Sequence, residues 1–287
     1  MPSGEAHKKQ HTADRILEEL IALDADKESI LIGVGGGVVT DLAGYAASVY
    51  MRGMGLGLAP TTLLAMVDAA IGGKNGVDIG PYKNMAGTIY QPEFILFDYS
   101  MLDSLPTEEW HSGFAEIIKH ACIADAALFS DLQHHELPFY RNNPEALHTL
   151  VKRNVLLKTA LVAEDEQGTG KRNLLNFGHT LGHPLEMLHK IPHGHAISLG
   201  MMLAASLSEE IFGFSSSEKS ALQELLKQYG LPVARKTDAK QLLDLAVKDK
   251  KKSGDVIRFI LLKAIGDAGI EKILLAQFAD LIHMMCG

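Results

Sequence analysis

The sequence predicts a parallel α/β domain followed by a mostly helical domain. In the first hundred residues, short apolar runs alternate with glycine turns and a helical pattern, which is typical of a parallel sheet. From about residue 107 onward, apolar residues recur at the three- and four-residue spacing of amphipathic helices. Of the 287 residues, 47% are hydrophobic and 22% are charged. Such a composition is ordinary for a globular chain of one large or two modest domains.

The first part contains three predicted strands and one predicted helix. The strands cover residues 29–34, 55–59 and 94–97, and the helix covers residues 38–51. The first strand runs into three consecutive glycines before the helix, and the second ends at Pro60. This order of strand, glycine turn, helix and strand predicts a βαβ unit.

The second part is predicted to be helical except for one late strand. The predicted helices cover residues 108–131, 145–164, 175–188, 195–212, 216–229, 239–247 and 273–285, and the strand covers 256–262. Thr107 and Ser216 have the residue type and position of N-caps. A change in pattern at residues 98–105 predicts two domains, 1–104 and 105–287.

Composition also excludes several classes of function. The formal net charge is −8 without a basic run, which excludes the usual nucleic-acid-binding pattern. Only two cysteines occur, Cys122 and Cys286. We therefore expect no disulfide framework, and we expect a cytoplasmic location. No apolar run reaches the ~18 residues of a membrane span, and the polar start does not have the pattern of a signal peptide.

A glycine-rich loop, residues 33–41 (GVGGGVVTD), lies between the first strand and the helix. Glycines let a backbone approach a pyrophosphate, and a helix N-terminus offers N–H groups to it. The loop does not match the dinucleotide fingerprint strictly, so nucleotide binding and a plain tight turn are both open. Lys74 and Lys83 follow near further glycines. They would suit a phosphorylated ligand, although for each lysine taken alone an ordinary solvated side chain in an exposed loop is the favoured interpretation.

A cluster of histidines and one carboxylate suggests a metal site. His179 and His183 are four residues apart, hence on one helical face, and His193-Gly194-His195 follows. Glu116 lies within an apolar helical run, where a lone carboxylate would be costly. Two imidazoles and a carboxylate bind zinc-type metals and leave a position for substrate. The residues alone leave two interpretations open. Either His179 and His183 bind a metal together, or these are ordinary histidines without a metal.

Eight motifs in register carry a family resemblance. They are GGGVVTDL at 35–42, PTTLL at 60–64, VDA at 67–69, GGK at 72–74, KN at 83–84, SGFAEIIK at 112–119, LNFGHT at 175–180 and DKK at 249–251. Their order and spacing resemble those of the 3-dehydroquinate synthase family, from Gly4 to near the C-terminus. So many motifs in one order make the resemblance specific.

The resemblance implies a fold and a reaction. The family joins an N-terminal NAD-binding α/β domain to a C-terminal helical domain that binds metal, with the active site between them. It converts 3-deoxy-arabino-heptulosonate 7-phosphate to 3-dehydroquinate and phosphate in the shikimate pathway, which leads to chorismate and the aromatic amino acids. The reaction is that of a phosphate-eliminating lyase with catalytic NAD and one divalent metal, Zn²⁺ or Co²⁺. The implied partner is a small phosphorylated keto acid, without nucleic acid or membrane, and a homodimer is open.

The resemblance also implies roles for individual residues. The metal ligands become Glu116, His179 and His193, and His183 becomes a neighbour for substrate phosphate or proton transfer. The implied cofactor contacts are Glu5, Lys8, Gly36, Gly37, Asp41, Thr61, Thr62, Lys74, Lys83, Met101, Leu102, Asp103 and Ser104. The implied substrate and catalytic residues are Asp68, Lys74, Asn84, Lys119, Lys158, Arg172, Asn176, His183 and Lys250.

Two departures from the family pattern matter. The family's His-Gly-Glu is His193-Gly194-His195 here, so a base replaces an acid beside a ligand, and either histidine could bind the metal. Family members also begin well before the counterpart of Gly4, so we expect an incomplete NAD-binding domain with poor solubility or weak activity.

The alternatives to a synthase are another sugar-phosphate cyclase, a metal-dependent polyol dehydrogenase of the same superfamily, or a truncated inactive remnant. Asn176 and His183 favour the synthase over other cyclases, and Glu116 favours it over dehydrogenases.

Overall fold

A computed structural model describes residues 4–80, 82–248 and 256–286. The chain divides into two compact units. The first consists of Met1–Trp110 and His148–Gln167, and the second of His111–Leu147 and Gly168–Gly287. The sequence predicts a single domain boundary after residue 104. In this division, however, the later segment His148–Gln167 also belongs to the first unit.

The first unit is built on a parallel sheet. The unit as a whole contains the strands β1 (Ile30–Gly35), β2 (Gly55–Pro60), β3 (Lys74–Ile79), β4 (Tyr82–Ile89) and β5 (Phe94–Ile95). Its helices are α1 (Gln10–Ala22) and α2 (Gly37–Val49). The sheet has the order β1-β2-β5 with both pairs parallel. Helix α2 connects β1 to β2, which confirms the predicted parallel α/β arrangement.

The core of this unit lies between the sheet and its helices. Leu56 and Leu58 of β2 are almost completely buried, together with Ala43 and Ala47 of α2 and Leu20 of α1. Small residues on α2 allow the helix to lie close to the sheet, while the leucines supply the apolar area. Burial of this kind is the main favourable contribution to folding.

The first unit contains a hairpin and a helix that were not predicted. Strands β3 and β4 form an antiparallel hairpin. They contain lysine, asparagine and glycine where a strand usually alternates apolar residues, so the hairpin has no clear sequence signal. Helix α1, by contrast, carries Ala13, Ile16, Leu17 and Leu20 at helical spacing, so a signal for it was present.

The second unit is mostly helical, as predicted. Two helices belong partly to each unit, α3 (Thr107–Ala124) and α6 (Pro144–Glu164). The other helices are α4 (Ala126–Gln133), α5 (Leu137–Asn142), α7 (His179–His189), α8 (His193–Phe212), α9 (Ser216–Gln228), α10 (Ala239–Lys248) and α11 (Leu275–Cys286). Strands β6 (Val256–Ala264) and β7 (Asp267–Leu274) form an antiparallel pair.

Several predicted boundaries in this unit were wrong for local reasons. The predicted helix 108–131 is interrupted at Asp125, whose side chain accepts the Leu128 N–H at 2.9 Å and caps α4. The helix predicted from residue 175 begins at His179, because Gly178 has a left-handed φ of 78°. Ser215, rather than Ser216, is the N-cap of α9 and accepts the Glu218 N–H. The closing helix begins after Ile273, which pairs with Ile257 in the β6–β7 ladder.

The core of the second unit joins its helices to the β6–β7 pair. Buried residues of α7, α8, α10, α11 and β6 form one apolar cluster that includes Leu181, Leu199, Leu242, Phe259 and Phe278. In residues 4–80, 82–248 and 256–286, no helix has the length and apolar character needed to cross a lipid bilayer.

Candidate metal and cofactor sites

Helix α3 carries a buried charged pair. Glu116 and Lys119 are one helical turn apart and form an ion pair, and their side chains are 0% and 1% exposed. Charges are rarely buried unless they are paired or coordinated, because removing them from water is costly. The pair is therefore a candidate for chemistry rather than for stability alone.

Two histidines from other helices lie beside Glu116. His193 Nε2 is 3.2 Å from Glu116 Oε1, and His179 Nε2 is 3.6 Å from the same oxygen. One potential ligand atom from each of the three residues lies within 4.8 Å of the other two. His179 Nδ1 lies 3.1 Å from the Phe177 carbonyl oxygen. That nitrogen therefore carries the proton, and the Nε2 lone pair is directed toward Glu116.

The two imidazoles differ in their protonation. Burial lowers the pKa of His179 from 6.5 to about 3, so this ring is neutral at physiological pH. Burial also lowers the pKa of His193, but hydrogen bonds with Glu116 and Glu186 outweigh it and raise the pKa to about 9. His193 is thus protonated in the metal-free protein. Because imidazole binds a metal only when neutral, metal binding at this residue releases a proton.

The other two histidines of the cluster lie in different positions. The ring of His195 stacks on His111, with centroids 6.3 Å apart, because two residues along a helix rotate a side chain by about 200°. The ring of His183 lies 5.2 Å from that of His179 and 6.1 Å from that of His193. Among the described residues, the close ligand group contains His193 rather than His183 or His195.

Glycines allow the three helices to approach one another. A Cβ atom on Gly194 of α8 would lie 2.4 Å from Ser112 Cα of α3. A Cβ atom on Gly200 would lie 2.0 Å from the Gly178 carbonyl oxygen, just before α7. Both distances are far below van der Waals contact, so helix α8 can pack this closely only without side chains there. The close packing brings Glu116, His179 and His193 together.

In the first unit, the glycine-rich loop lies at the carboxyl edge of the parallel sheet. Gly36 precedes α2, and Gly37 is its first residue. The Thr61 N–H donates to the Gly35 carbonyl oxygen at 2.9 Å, so the ends of β1 and β2 are adjacent. A Cβ on Gly36 would lie 3.0 Å from Thr62 Cγ2. The carboxyl edge of such a sheet, next to a helix N-terminus, is where parallel α/β folds bind phosphates.

Lys8 connects two other residues that the resemblance singles out. It is buried, forms an ion pair with Asp41, and donates from Nζ to Asn84 Oδ1 at 2.5 Å. The Asn84 N–H donates to Asp78 Oδ1 at 2.9 Å, which supports the left-handed φ of 53° at Asn84. Burial raises the pKa of Asp41 to about 6, and the charge of Lys8 opposes that shift.

A second lysine in the first unit binds Asp68. Lys158 Nζ lies 2.8 Å from Asp68 Oδ1 and 2.5 Å from the Asp68 carbonyl oxygen. Ninety positions separate the two residues. Both residues belong to the first unit.

The remaining predicted residues are distributed as follows. Glu5 forms an ion pair with Lys83 at 3.3 Å. Lys74 and Met101 are exposed, whereas the Leu102 side chain is buried and could meet a cofactor only through its backbone. Arg172 is buried and Asn176 is exposed, both in the short helix Lys171–Asn176 that precedes His179. The exposed Asp103 and Ser104 follow Leu102. Lys250 lies outside the described residues.

Comparison with known proteins identifies the family. A family model described as the N-terminal part of 3-dehydroquinate synthase matches residues 1–112, and one described as the C-terminal part matches residues 113–252. The chain belongs to the 3-dehydroquinate synthase family. The 3-dehydroquinate synthase of Thermococcus kodakarensis is 42% identical over 275 residues, which cover 95% of this chain and 77% of that protein. The Dehalococcoides mccartyi enzyme is 38% identical over 289 residues, 99% of this chain and 80% of that protein.

Solved structures of related enzymes share the fold. ValA, the 2-epi-5-epi-valiolone synthase of Streptomyces hygroscopicus, has NAD⁺ and Zn²⁺ bound and is 26% identical, with a TM-score of 0.90 over 100% of this chain and 81% of that one. A 2-deoxy-scyllo-inosose synthase complexed with carbaglucose-6-phosphate, NAD⁺ and Co²⁺ is also 26% identical, with a TM-score of 0.86 over 99% and 81%. These likenesses confirm the predicted fold class for this member of the 3-dehydroquinate synthase family.

Sequence reasoning missed two residues beside the site residues of this family member. Glu186 accepts a hydrogen bond from His193, and Asp78 holds the backbone of Asn84. A signal for Glu186 was present, because His179, His183 and Glu186 have the i, i+4, i+7 spacing of one helical face. Asp78 had no comparable signal, since its role depends on the bulged β3–β4 pairing.

Proposed function

We propose that this chain is a 3-dehydroquinate synthase, a lyase that converts 3-deoxy-arabino-heptulosonate 7-phosphate to 3-dehydroquinate and phosphate. NAD and one divalent metal, Zn²⁺ or Co²⁺, would act as cofactors. The observation that carries the proposal is the convergence of Glu116, His179 and His193 in a chain of this family. Sparse cysteine usage, only two residues, supports a cytoplasmic enzyme.

The residues present fit a metal of this kind. One carboxylate oxygen and two imidazole nitrogens are a donor set that Zn²⁺ and Co²⁺ accept, and three protein ligands leave a position for a substrate hydroxyl. The neutral His179 already directs a lone pair toward Glu116. When bound, the metal would act as a Lewis acid that makes a substrate alcohol easier to deprotonate.

The residues at the sheet edge fit a dinucleotide. Gly36 and Gly37 leave the backbone open to a pyrophosphate, and the first N–H groups of α2 carry the positive end of the helix dipole. The neighbouring hydroxyls of Thr61 and Thr62 would supply further hydrogen bonds. NAD held by these residues would supply reversible hydride transfer with no net consumption of the cofactor.

The charged residues fit the two ends of a phosphorylated keto acid. Arg172 presents a planar guanidinium suited to a carboxylate or a phosphate, and Lys119 and Lys158 act as positive point charges. Asn84 and Asn176 would hydrogen-bond substrate hydroxyls, and the resemblance adds Lys74 and Lys250 to the substrate contacts. In this proposal His183, next to His179, moves a proton or contacts the phosphate.

Measuring two products at once tests this function. With 3-deoxy-arabino-heptulosonate 7-phosphate, NAD and Zn²⁺, we expect phosphate release that matches substrate consumption without accumulation of NADH. The Glu116→Gln variant should lose this activity. The Glu224→Gln variant is a matched control, because Glu224 is exposed and bonds only Lys227 on its own helix among the contacts seen.

Other outcomes would assign a different activity. Steady NADH formation from a simple polyol, without phosphate release, would indicate a dehydrogenase. Phosphate release from a hexose phosphate, but not from the keto acid, would indicate another cyclase.

A further inference from the structure

Glu186 of helix α7 lies behind one of the candidate metal ligands, His193. Its Oε2 atom lies 3.3 Å from His193 Nδ1, and its side chain is 12% exposed. His193 Nε2, on the opposite side of the ring, is 3.2 Å from Glu116 Oε1. The imidazole of His193 is therefore held between two carboxylates.

We propose that Glu186 is a positioning residue for the metal. By accepting the Nδ1–H of His193, it fixes the ring so that Nε2 is the nitrogen presented to the metal. The inference rests on the proposed metal site. A carboxylate behind a ligating imidazole sets the ring orientation and increases its basicity, and removing such a group usually weakens metal binding.

The two histidine ligands are held in different ways. The Nδ1–H of His179 donates to a backbone carbonyl, that of Phe177, which no substitution at that position removes. The Nδ1–H of His193 depends on the Glu186 side chain. Without that carboxylate, the ring can rotate about its Cβ–Cγ bond and present Nδ1 in place of Nε2. Glu186 also adds a negative charge, which favours a divalent cation.

Zinc affinity measured without substrate or NAD tests this role directly. Metal-free protein would compete for Zn²⁺ with a chromogenic chelator. We expect binding by Glu186→Ala to be about 10- to 100-fold weaker than wild type. Glu186→Gln should lie between the two, because its amide oxygen still accepts the hydrogen bond but carries no charge. Glu224→Gln, the same chemical change at an exposed position of the second unit, should bind like wild type.

The visible spectrum of bound Co²⁺ separates positioning from general stability. If Glu186 orients His193, both variants should show a changed spectrum even when saturated with Co²⁺. A purely structural role would lower the melting temperature and leave that spectrum unchanged. Affinities within about twofold of wild type with an unchanged spectrum would overturn the proposal, and if Glu186→Ala does not fold, Glu186→Gln decides.

Failure of this inference and failure of the proposed function give different results. A wild-type chain that binds Zn²⁺ but does not release phosphate from the keto acid overturns the function only. A wild-type chain that binds no Zn²⁺ overturns both.

Discussion

His193 Nε2 and Glu116 Oε1 lie 3.2 Å apart although 77 positions separate the two residues along the chain. His195, only two positions after His193, instead stacks its ring on His111. The turn of helix α8 thus divides two neighbouring histidines between two environments. This division leads to the first prediction.

Replacing His193 by alanine should remove the metal, whereas replacing His195 should not. His193→Ala deletes a nitrogen that lies beside Glu116, while His195→Ala deletes a stacked ring away from the ligand group. Zinc content after gel filtration, measured by atomic absorption, checks this. Stoichiometric zinc in His193→Ala together with zinc loss in His195→Ala would show that the other histidine is the ligand.

A methyl group at Gly200 should disturb the metal site without touching it. The new Cβ would lie 2.0 Å from the Gly178 carbonyl oxygen, so α8 must move away from the start of α7. We expect Gly200→Ala to lower the free energy of unfolding by about 1–3 kcal/mol and to weaken zinc binding. Urea denaturation and chelator competition measure the two effects.

Ser206→Ala is the control on the same helix. Within the described part of the chain, the Ser206 hydroxyl donates back to the Met202 carbonyl oxygen on its own helix. Its loss should therefore change stability by no more than about 0.5 kcal/mol. If Gly200→Ala and Ser206→Ala behave alike in both measurements, the close approach of α7 and α8 is not what assembles the ligands.

A methyl group at Gly37 should weaken NAD binding by about tenfold or more, equivalent to about 1.4 kcal/mol, because the cofactor needs close access to this backbone. The new Cβ would also lie 3.2 Å from Ala69 Cβ, so packing could suffer as well. The double variant Gly37→Ala with Ala69→Gly restores that space. We expect the double variant to recover its melting temperature while its NAD affinity, measured by fluorescence titration, stays low. Recovery of affinity in the double variant would show that packing, not cofactor access, explains the single variant.

The stability contribution of Asp41 should fall as the pH rises from about 4 to about 6. Burial raises the folded-state pKa of Asp41 from 3.8 to about 6, so between these values the folded protein binds a proton that the unfolded chain does not. The linked free energy is then fully present below about pH 4 and is lost above about pH 6, a change of at most about 3 kcal/mol.

Comparison with Asp41→Asn isolates this group from the other carboxylates. The difference in unfolding free energy, wild type minus variant, should decrease through that pH range and become constant above it. Urea denaturation at several pH values measures the difference. A difference that increases with pH would mean that the ion pair with Lys8 lowers the pKa of Asp41 more than burial raises it.

The sequence by itself determined the fold class and the helical content of the second unit, because both depend on the local spacing of apolar residues. It also placed Glu116 within an apolar helical run, and in the structure the Glu116 side chain is fully buried. These properties follow from a residue's neighbours within a turn or two of helix. The resemblance supplied the roles of the individual site residues, which stay predictions until they are tested.

Only the tertiary structure decided which distant residues meet. Gly194 and Gly200 let α8 approach its neighbours closely, and the face of α8 that meets α3 carries His193 beside Glu116. The same packing places Glu186 behind His193. Lys158 of helix α6 likewise meets Asp68, 90 positions earlier in the chain. Periodicity specifies which face of a helix is buried, but not the partner against which it is buried. That partner depends on the shape and close packing of side chains far apart in the sequence.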